Sequence, residues 1–403
     1  MTQMHNFFSQ EQLYKILRFI FALATTAVFT INLLYQIEVA NLVPWQMIII
    51  GTCLEVTVFL FEIPTGIIAD KFSRKISVVI GFFLIGVGFI IEGSFPKFIF
   101  IALAQVIWGV GYTCISGALD AWVIDETGKE ELFISGGKIA SVGEFTGIVL
   151  SVIFAQISLN APILTGGFLL VILSFFVLIF MSEKPFKKNI DAENKNHFIN
   201  VTKSIFNFVK TGRVVAIMFI IALFVGLYSE GFDRLWGKYI VDIDAFYKFN
   251  TTYLFGIIAF ITATLKFFVL NKIGHVAENT QLKNISSSLT IFSFSIMILL
   301  AAMSFIENGY MLVLLIIFIN LFREISEPLQ TIWFNKLITN SENRATFLSL
   351  RGQVDSCGQI GSGILMSSIS LVLPLKMIFL SCAVIFSPVA FLYYYLNSKN
   401  NKF

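Results

Sequence analysis

The sequence predicts an all-α integral membrane protein: twelve transmembrane helices in two pseudo-symmetric six-helix bundles, with both termini in the cytoplasm. Three observations carry this expectation. First, of 403 residues 57% are hydrophobic and only 13% charged, where a soluble domain carries roughly 25% charge, so lipid must be the solvent for most of the chain. Second, apolar runs long enough to cross a bilayer, about 20 residues each, recur near 16–37, 46–69, 76–95, 98–123, 136–158, 161–182, 214–235, 251–272, 285–306, 309–334, 346–372 and 374–396. Third, one polar stretch divides these runs six and six. Backbone polar groups in hydrocarbon must be satisfied within each segment, and the period-2 alternation of a membrane barrel is absent, so the runs are read as helices. The loops on the side of the termini hold nineteen Lys and Arg residues. The other side holds four (Lys97, Lys238, Lys248 and Lys376) and five lie inside predicted helices, which accounts for all 28. That bias places both termini in the cytoplasm, and the first run, which lacks a small-residue cleavage site, is read as a retained helix.

Taken in order, helix 1 carries no charge cluster, and Asn32, Tyr35 and Gln36 are its neutral candidates for lining a substrate cavity. Helix 2 places Glu55 and Glu62 two turns apart on one face, next to Pro64, which removes a helix hydrogen bond where the backbone could bend. The loop "GIIADKFSRK" at 66–75 follows, with Lys71, Arg74 and Lys75 around Asp70, which is placed to cap helix 3. Helix 3 carries Glu92 within its apolar run. In helix 4, "LDAWVIDETG" sets Asp120 on the face of Tyr112 and Ser116, and Asp125 on another. Asp120 is read as a cavity acid or as the structural partner of a base such as Lys138. Helix 5 carries Glu144 about 12 Å along its axis, with no counter-ion at helical spacing. Each such acid costs about 2.5–3.5 kcal/mol in the membrane, and desolvation moves it toward a range where it can exchange protons. Glu144 is therefore the first proton-coupling candidate, followed by Asp120, Glu55 and Glu62.

Residues 1–182 form the first predicted bundle, 183–212 a cytoplasmic linker, and 213–403 the second bundle. Within the linker, Ile205, Phe206 and Val209 share one side with Lys203 and Lys210 nearby, the pattern of a helix lying on the membrane surface. In the second bundle acids and bases alternate. Helix 7 has Glu230 and Arg234 at i,i+4, helix 10 has Arg323 and Glu327 at the same spacing, and helix 11 stacks Arg351, Asp355 and Gln359 on one stripe. Pairs like these hold bundles together, with Asp355 and Arg323 kept as cavity candidates. Lys266 stands alone in helix 8. The four cysteines lack metal-ligand spacing and are read as packing residues.

The two halves repeat one another. "TGIIADKFSRKIS" at 65–77 aligns without a gap on "IGHVAENTQLKNI" at 273–285, setting Gly66 on Gly274, Ala69 on Ala277, Asp70 on Glu278 and Lys75 on Lys283. Lys138 and Arg351 give a weaker echo. Two related six-helix halves are the mark of a carrier that rocks about a midplane site. On these grounds the chain resembles the major facilitator superfamily over nearly its whole length. Its loop is similar to that family's signature between helices 2 and 3, roughly G-x-x-x-D-(R/K)-x-G-(R/K)-(R/K). Gly66, Asp70, Lys71, Arg74 and Lys75 match, and Ser73 stands where glycine is usual. Gln105 replaces the usual helix 4 arginine, and Glu144 in "GEFTG" replaces the proline of a motif known from proton-driven exporters.

The resemblance implies a secondary active transporter, nearest the drug/proton antiporter branch, in which Asp70, Arg74 and Asp125 form a cytoplasmic latch that holds the outward-open state. The expected activity is proton-coupled efflux of amphipathic or cationic small molecules. The alternatives are proton-coupled uptake of a polar nutrient and flipping of a lipid or glycolipid. Enzyme chemistry is not expected: no His-Glu-x-x-His, Cys-x-x-Cys or phosphate-binding Gly-Lys-Ser/Thr loop is present. The expected partners are a small-molecule substrate, protons and the bilayer, with no cofactor, metal or nucleic acid, and the protein is expected to be a monomer in a bacterial plasma membrane.

Overall fold

The computed structural model describes residues 8–183, 212–243, 250–277, 282–337 and 341–400. The interfacial-helix segment of the linker lies outside the described residues, as does Glu278 of the repeat. Thirteen helices appear among the described residues. They are α1 (Gln10–Glu38), α2 (Pro44–Lys71), α3 (Arg74–Ser94), α4 (Phe98–Ile115), α5 (Ala118–Thr127), α6 (Leu132–Ala155), α7 (Ala161–Phe180), α8 (Arg213–Asp242), α9 (Thr251–Ala277), α10 (Leu282–Met303), α11 (Gly309–Leu337), α12 (Ser341–Ser370) and α13 (Leu375–Asn400).

Local chemistry sets the boundaries. The first helix begins before its apolar run because Ser9 and Gln12 form a capping box: Gln12 N donates to Ser9 Oγ at 3.2 Å and Ser9 N to Gln12 Oε1 at 3.0 Å, which satisfies two orphan donors. Pro44 opens α2, where its missing N–H is not needed. Helix 4, expected as one continuous run, is broken. Gly117 sits at φ +72°, a conformation that glycine adopts without penalty, and it separates α4 from α5. The stripe of Tyr112, Ser116 and Asp120 is broken with it.

Among the described residues, eleven spans are long and apolar enough to cross a membrane, α4 and α5 together making one of them. The remaining long helix, α12, has 30 residues, about 45 Å at 1.5 Å per residue, and is less apolar because Arg351, Gln353, Asp355 and Gln359 lie along it.

The chain forms two compact units. One comprises Met1–Gln46, Cys53–Glu193 and Phe249–Phe260; the other comprises Met47–Thr52, Asn194–Lys248 and Ile261–Phe403. Each has the same internal plan. In the first, α1 packs on α6 and α7, and α3 on α7 and α4; in the second, α8 packs on α12 and α13, and α10 on α13 and α11. The tightest contacts need glycine. A Cβ on Gly143 or Gly147 of α6 would lie 2.5 Å from Phe19 O or 2.6 Å from Leu23 O of α1. A Cβ on Gly226 of α8 would lie 2.1 Å from Asp355 O, and one on Gly358 of α12 2.3 Å from Leu223 O. Both units thus bring their first and fifth spans to backbone contact through small residues, a recurrent solution for helices in lipid.

Candidate functional site

Three polar clusters stand out, two in the first unit and one in the second. The loop at 66–75 builds the first cluster. Asp70 ends up in the last turn of α2 rather than at a cap. The cap of α3 is Ser73, whose Oγ accepts from Ile76 N at 3.0 Å. Its φ of −171° is extended backbone, so a serine is accommodated where the family has glycine. Arg74 forms an ion pair with Asp125 of α5 and lies 3.7 Å from Asp70. Glu183, just past α7, accepts from Ser73 Oγ at 2.5 Å and from Arg74 N at 2.7 Å, a carboxylate set at the positive end of α3. Trp122 Nε1 donates to Ser182 O at 2.7 Å and anchors that segment. Gly66, Lys71 and Lys75 are part-buried, and Lys75 N lies 3.5 Å from Glu183 Oε1.

Nearby, α2 is tied to the α4–α5 break. Glu62 accepts from Ser116 Oγ at 2.9 Å and Thr65 Oγ1 donates to Thr113 O at 3.0 Å, on either side of Pro64. Asp120 partners α1 rather than Lys138: Tyr14 OH donates to it at 2.8 Å, and Arg18 lies 3.9 Å away. The geometry therefore gives Asp120 a bracing contact near the α5 end of α1 and not a place on the Tyr112 face. Tyr112 itself is exposed and meets the Trp108 ring edge-on. Lys129, in the turn after α5, donates to Glu11 Oε1 at 2.6 Å, and this contact with a carboxylate holds its ammonium above the ordinary lysine pKa. Glu55 and Glu144 are part-buried on α2 and α6.

The second cluster lies at the other end of α3. Asn32, Tyr35 and Gln36 were expected to line a cavity; they are instead buried around Glu92, whose exposure is 0%. Glu92 Oε1 accepts from Asn32 Nδ2 at 3.0 Å and from Gln36 Nε2 at 2.8 Å, while Oε2 accepts from Gln105 Nε2 at 3.1 Å. Tyr35 OH donates to Glu92 O at 2.5 Å, satisfying one of the last carbonyls of α3. Helical spacing does not reveal this centre, because its donors come from α1 and α4 and not from α3 itself. The signal was Gln105, a neutral amide at the place of the usual arginine.

The third cluster is a cavity of about 450 Å³ within the second unit, inside the roughly 300–1,000 Å³ range of small-molecule sites. Asp233 reaches it from α8, Arg323, Glu324 and Glu327 from α11, and Arg351 and Asp355 from α12. Tyr228, Ser293, Asn320 and Gln330 add uncharged polar groups. Arg323 does not pair with Glu327. Its guanidinium makes a two-pronged ion pair with Asp233, with one N–H···O at 2.7 Å, and lies over the rings of Tyr228 and Phe232 at 5.6 and 5.2 Å. Arg351 lies over Phe334 at 5.2 Å. Asp355 accepts from Gln359 Nε2 at 2.8 Å. Lys266 finds Glu324 at 3.3 Å. Outside the cavity lining, Glu230 and Arg234 do form the expected i,i+4 pair, at 3.2 Å. Of the residues read as site candidates, the structure thus gathers Arg323 and Asp355 in one cavity, and places Asn32, Tyr35 and Gln36 elsewhere. Among the described residues no group of acids, histidines and cysteines is arranged to hold a metal.

Residues 16–301 match the profile of the Major Facilitator Superfamily. The chain is 24% identical over 349 residues, 84% of each protein, to an uncharacterized MFS-type transporter of Bacillus subtilis (strain 168), YxaM. It is 30% identical over 162 residues, 37% of this chain and 38% of the other, to an uncharacterized transporter of Buchnera aphidicola subsp. Acyrthosiphon pisum, BU466. Among solved structures it is similar in fold to the nucleoside transporter NupG, with a TM-score of 0.78 at 14% identity over 96% of this chain and 98% of that one. A POT family transporter in complex with 5-aminolevulinic acid gives a TM-score of 0.74 at 12% identity over 98% of both chains.

Proposed function

The chain belongs to the major facilitator superfamily, and we propose that this multi-pass membrane transporter exchanges protons for a small polar solute bearing a cationic group, using the cavity of the second unit. Transport, not catalysis, is the role to which family and fold point. The observation that carries the finer reading is the charge inventory of the cavity. Four carboxylates, Asp233, Glu324, Glu327 and Asp355, face two arginines, Arg323 and Arg351. Asp233 is matched by Arg323 and Glu324 by Lys266. Among the described residues this leaves Glu327 and Asp355 against one arginine, a surplus of one negative charge even with Lys266 counted.

A cationic solute about 4 Å from a carboxylate gains about 4 kcal/mol at an effective dielectric of 20. A proton on the same carboxylate removes that attraction. Proton and cargo therefore compete for Glu327 and Asp355, and competition at one site is the simplest basis for exchange. With protons driven inward, the exchange runs as efflux. The polar lining disfavours a purely apolar drug, and the nucleoside and 5-aminolevulinic acid in the names of the similar structures are polar molecules of compatible size. Orientation follows the Lys and Arg bias, with the 66–75 loop and both termini facing the cytoplasm of a bacterial cell. In that orientation the Asp70–Arg74–Asp125 cluster serves as an inner latch.

The test is purified protein in liposomes with an entrapped pH-sensitive dye, challenged with cationic, zwitterionic, neutral and anionic solutes. Exchange predicts that a cationic or zwitterionic solute drives protons opposite to its own movement. Protons moving with the solute would replace exchange by symport of a nutrient. A response to apolar drugs alone would overturn the polar-cargo reading.

A further inference from the structure

The two arginines of the cavity are held in different ways, and the difference bears on what the cargo must carry besides a cation. Arg323 is saturated. Its N–H groups are committed to Asp233 through the two-pronged ion pair, and the rings of Tyr228 and Phe232 lie against it at 5.6 and 5.2 Å. Arg351 also lines the cavity, but it is engaged by a ring alone, Phe334 at 5.2 Å. Among the described residues it forms no ion pair and no hydrogen bond. A guanidinium placed over a ring keeps its N–H donors, which lie in its own plane, for a planar acceptor.

The acid that follows on the same stripe does not take those donors. Asp355, one turn on and about 6 Å along the axis, accepts from Gln359 Nε2 at 2.8 Å and meets Arg351 only at longer range. Glu327 of α11 also acts on Asp355 through its charge. Arg351, Asp355 and Glu327 are therefore one group of interacting charges in the cavity, two negative and one positive.

The aromatic group around Phe334 supplies no acceptor in their place. Ring to ring, Trp333 lies 5.6 Å from Phe334 and 6.0 Å from Tyr393. The indole N–H of Trp333 and the hydroxyl of Tyr393 are buried with no hydrogen-bond partner among the described residues, and Tyr393 is within electrostatic reach of Arg351. Both groups can donate, so the surroundings of Arg351 hold more donors than acceptors. An anion corrects that imbalance, and a carboxylate does so with two parallel charge-assisted bonds to the guanidinium.

We propose that Arg351 determines the specificity of the cavity by holding a carboxylate of the cargo, while Glu327 and Asp355 hold two cationic groups. The cargo is then of the basic amino acid type, with an ammonium and a carboxylate at one end and a second cationic group on a short chain. Its one net positive charge is equal and opposite to the surplus of the cavity. A zwitterion with a single ammonium leaves one cavity carboxylate without a partner, and a diamine leaves Arg351 without one. A volume of about 450 Å³ admits a molecule of this size. This inference rests on the cation-binding reading of the same cavity and adds the anion to it.

The test uses solute pairs that differ by one carboxylate: lysine and cadaverine, ornithine and putrescine, arginine and agmatine. Calorimetric titration of the full chain in mixed micelles at neutral pH, compared with Arg351→Gln, reads what the carboxylate contributes. In the native chain at least one amino acid should bind about tenfold or more tightly than its decarboxylated partner, the worth of a charge-assisted hydrogen bond. Arg351→Gln should lose that preference while the decarboxylated solutes bind as tightly as before or more so, which also reports that the variant is folded. Equal binding within every pair in the native chain, or tighter binding of the decarboxylated solutes, overturns the inference and leaves the cation reading standing; it is the result expected if Arg351 only neutralises Asp355. A preference that survives Arg351→Gln overturns it equally. Should that variant not fold, the comparison in the native chain still decides. Binding of none of the six solutes overturns the inference and the cation reading together.

Discussion

Replacing Asp233 by Asn keeps the shape of the side chain but strips the charge from the two-pronged partner of Arg323. A fully buried ion pair broken on one side costs about 3–5 kcal/mol, and a fully exposed one contributes about 0.2–1 kcal/mol. With side chains 24% and 41% exposed, this pair lies between those limits, and a coupling of about 1–2 kcal/mol is expected. The rings of Tyr228 and Phe232 remain under the guanidinium in the variant and hold it in place. The spacing of Arg323 and Glu327 on one helix suggests a competing partner, so the informative assay compares two double-mutant cycles by equilibrium unfolding in mixed micelles. The cycle of Asp233→Asn with Arg323→Gln should give the full coupling, and that of Glu327→Gln with Arg323→Gln less than about 0.5 kcal/mol. A larger coupling for the Glu327 cycle would refute the geometry, and with it the charge count that leaves Glu327 available to cargo.

Three further outcomes follow from the packing and the loop. Gly226→Ala drives a Cβ to 2.1 Å from Asp355 O and should destabilise by about 1–3 kcal/mol, whereas Gly352→Ala, with nothing within 4 Å of its Cβ, should stabilise by about 0.5–1 kcal/mol; thermal melts of the two variants should move in opposite directions. Ser73→Ala loses the cap of α3 and should cost about 1 kcal/mol more than Ser73→Gly, because glycine is tolerated at an N-cap and both variants lose the hydrogen bond to Glu183 alike; chemical denaturation of the pair checks the difference. Asp125→Asn, which removes the direct partner of Arg74, should slow turnover more than Asp70→Asn, whose carboxylate is 3.7 Å away, with solute affinity little changed in both; initial rates against binding isotherms separate the two effects.

Much of the fold was legible because lipid imposes a simple rule. Long apolar runs must be helices, and the polar stretch and the 65–77 and 273–285 repeat marked two halves whose helix pairings do match. The break in helix 4 was less visible. Ser116 and Gly117 are two small residues in an otherwise apolar run, and only the tertiary bonds from Glu62 and Thr65 show why the backbone turns there. Within sites, periodicity finds the partners that one helix supplies, such as Glu230 and Arg234. It cannot find those brought by a neighbouring helix: Asp233 is 90 residues from Arg323, and Glu92 is 60 from Asn32. Asn32 and Gln36 have the composition of a binding surface, but their faces are turned to a buried acid. The charge cluster of Asp70, Arg74 and Asp125 was readable because a family pattern stood in for the missing tertiary information.

The central claim is that protons and a cationic polar solute compete for the acids of one cavity in the second unit. Solute-driven proton movement into or out of liposomes, compared between the native chain and Asp355→Asn combined with Glu327→Gln, tests it most directly. The account predicts counter-movement of protons in the native chain and its loss in the double variant, with solute selectivity shifting away from cations. Proton counter-movement that persists unchanged with both carboxylates neutralised would contradict it.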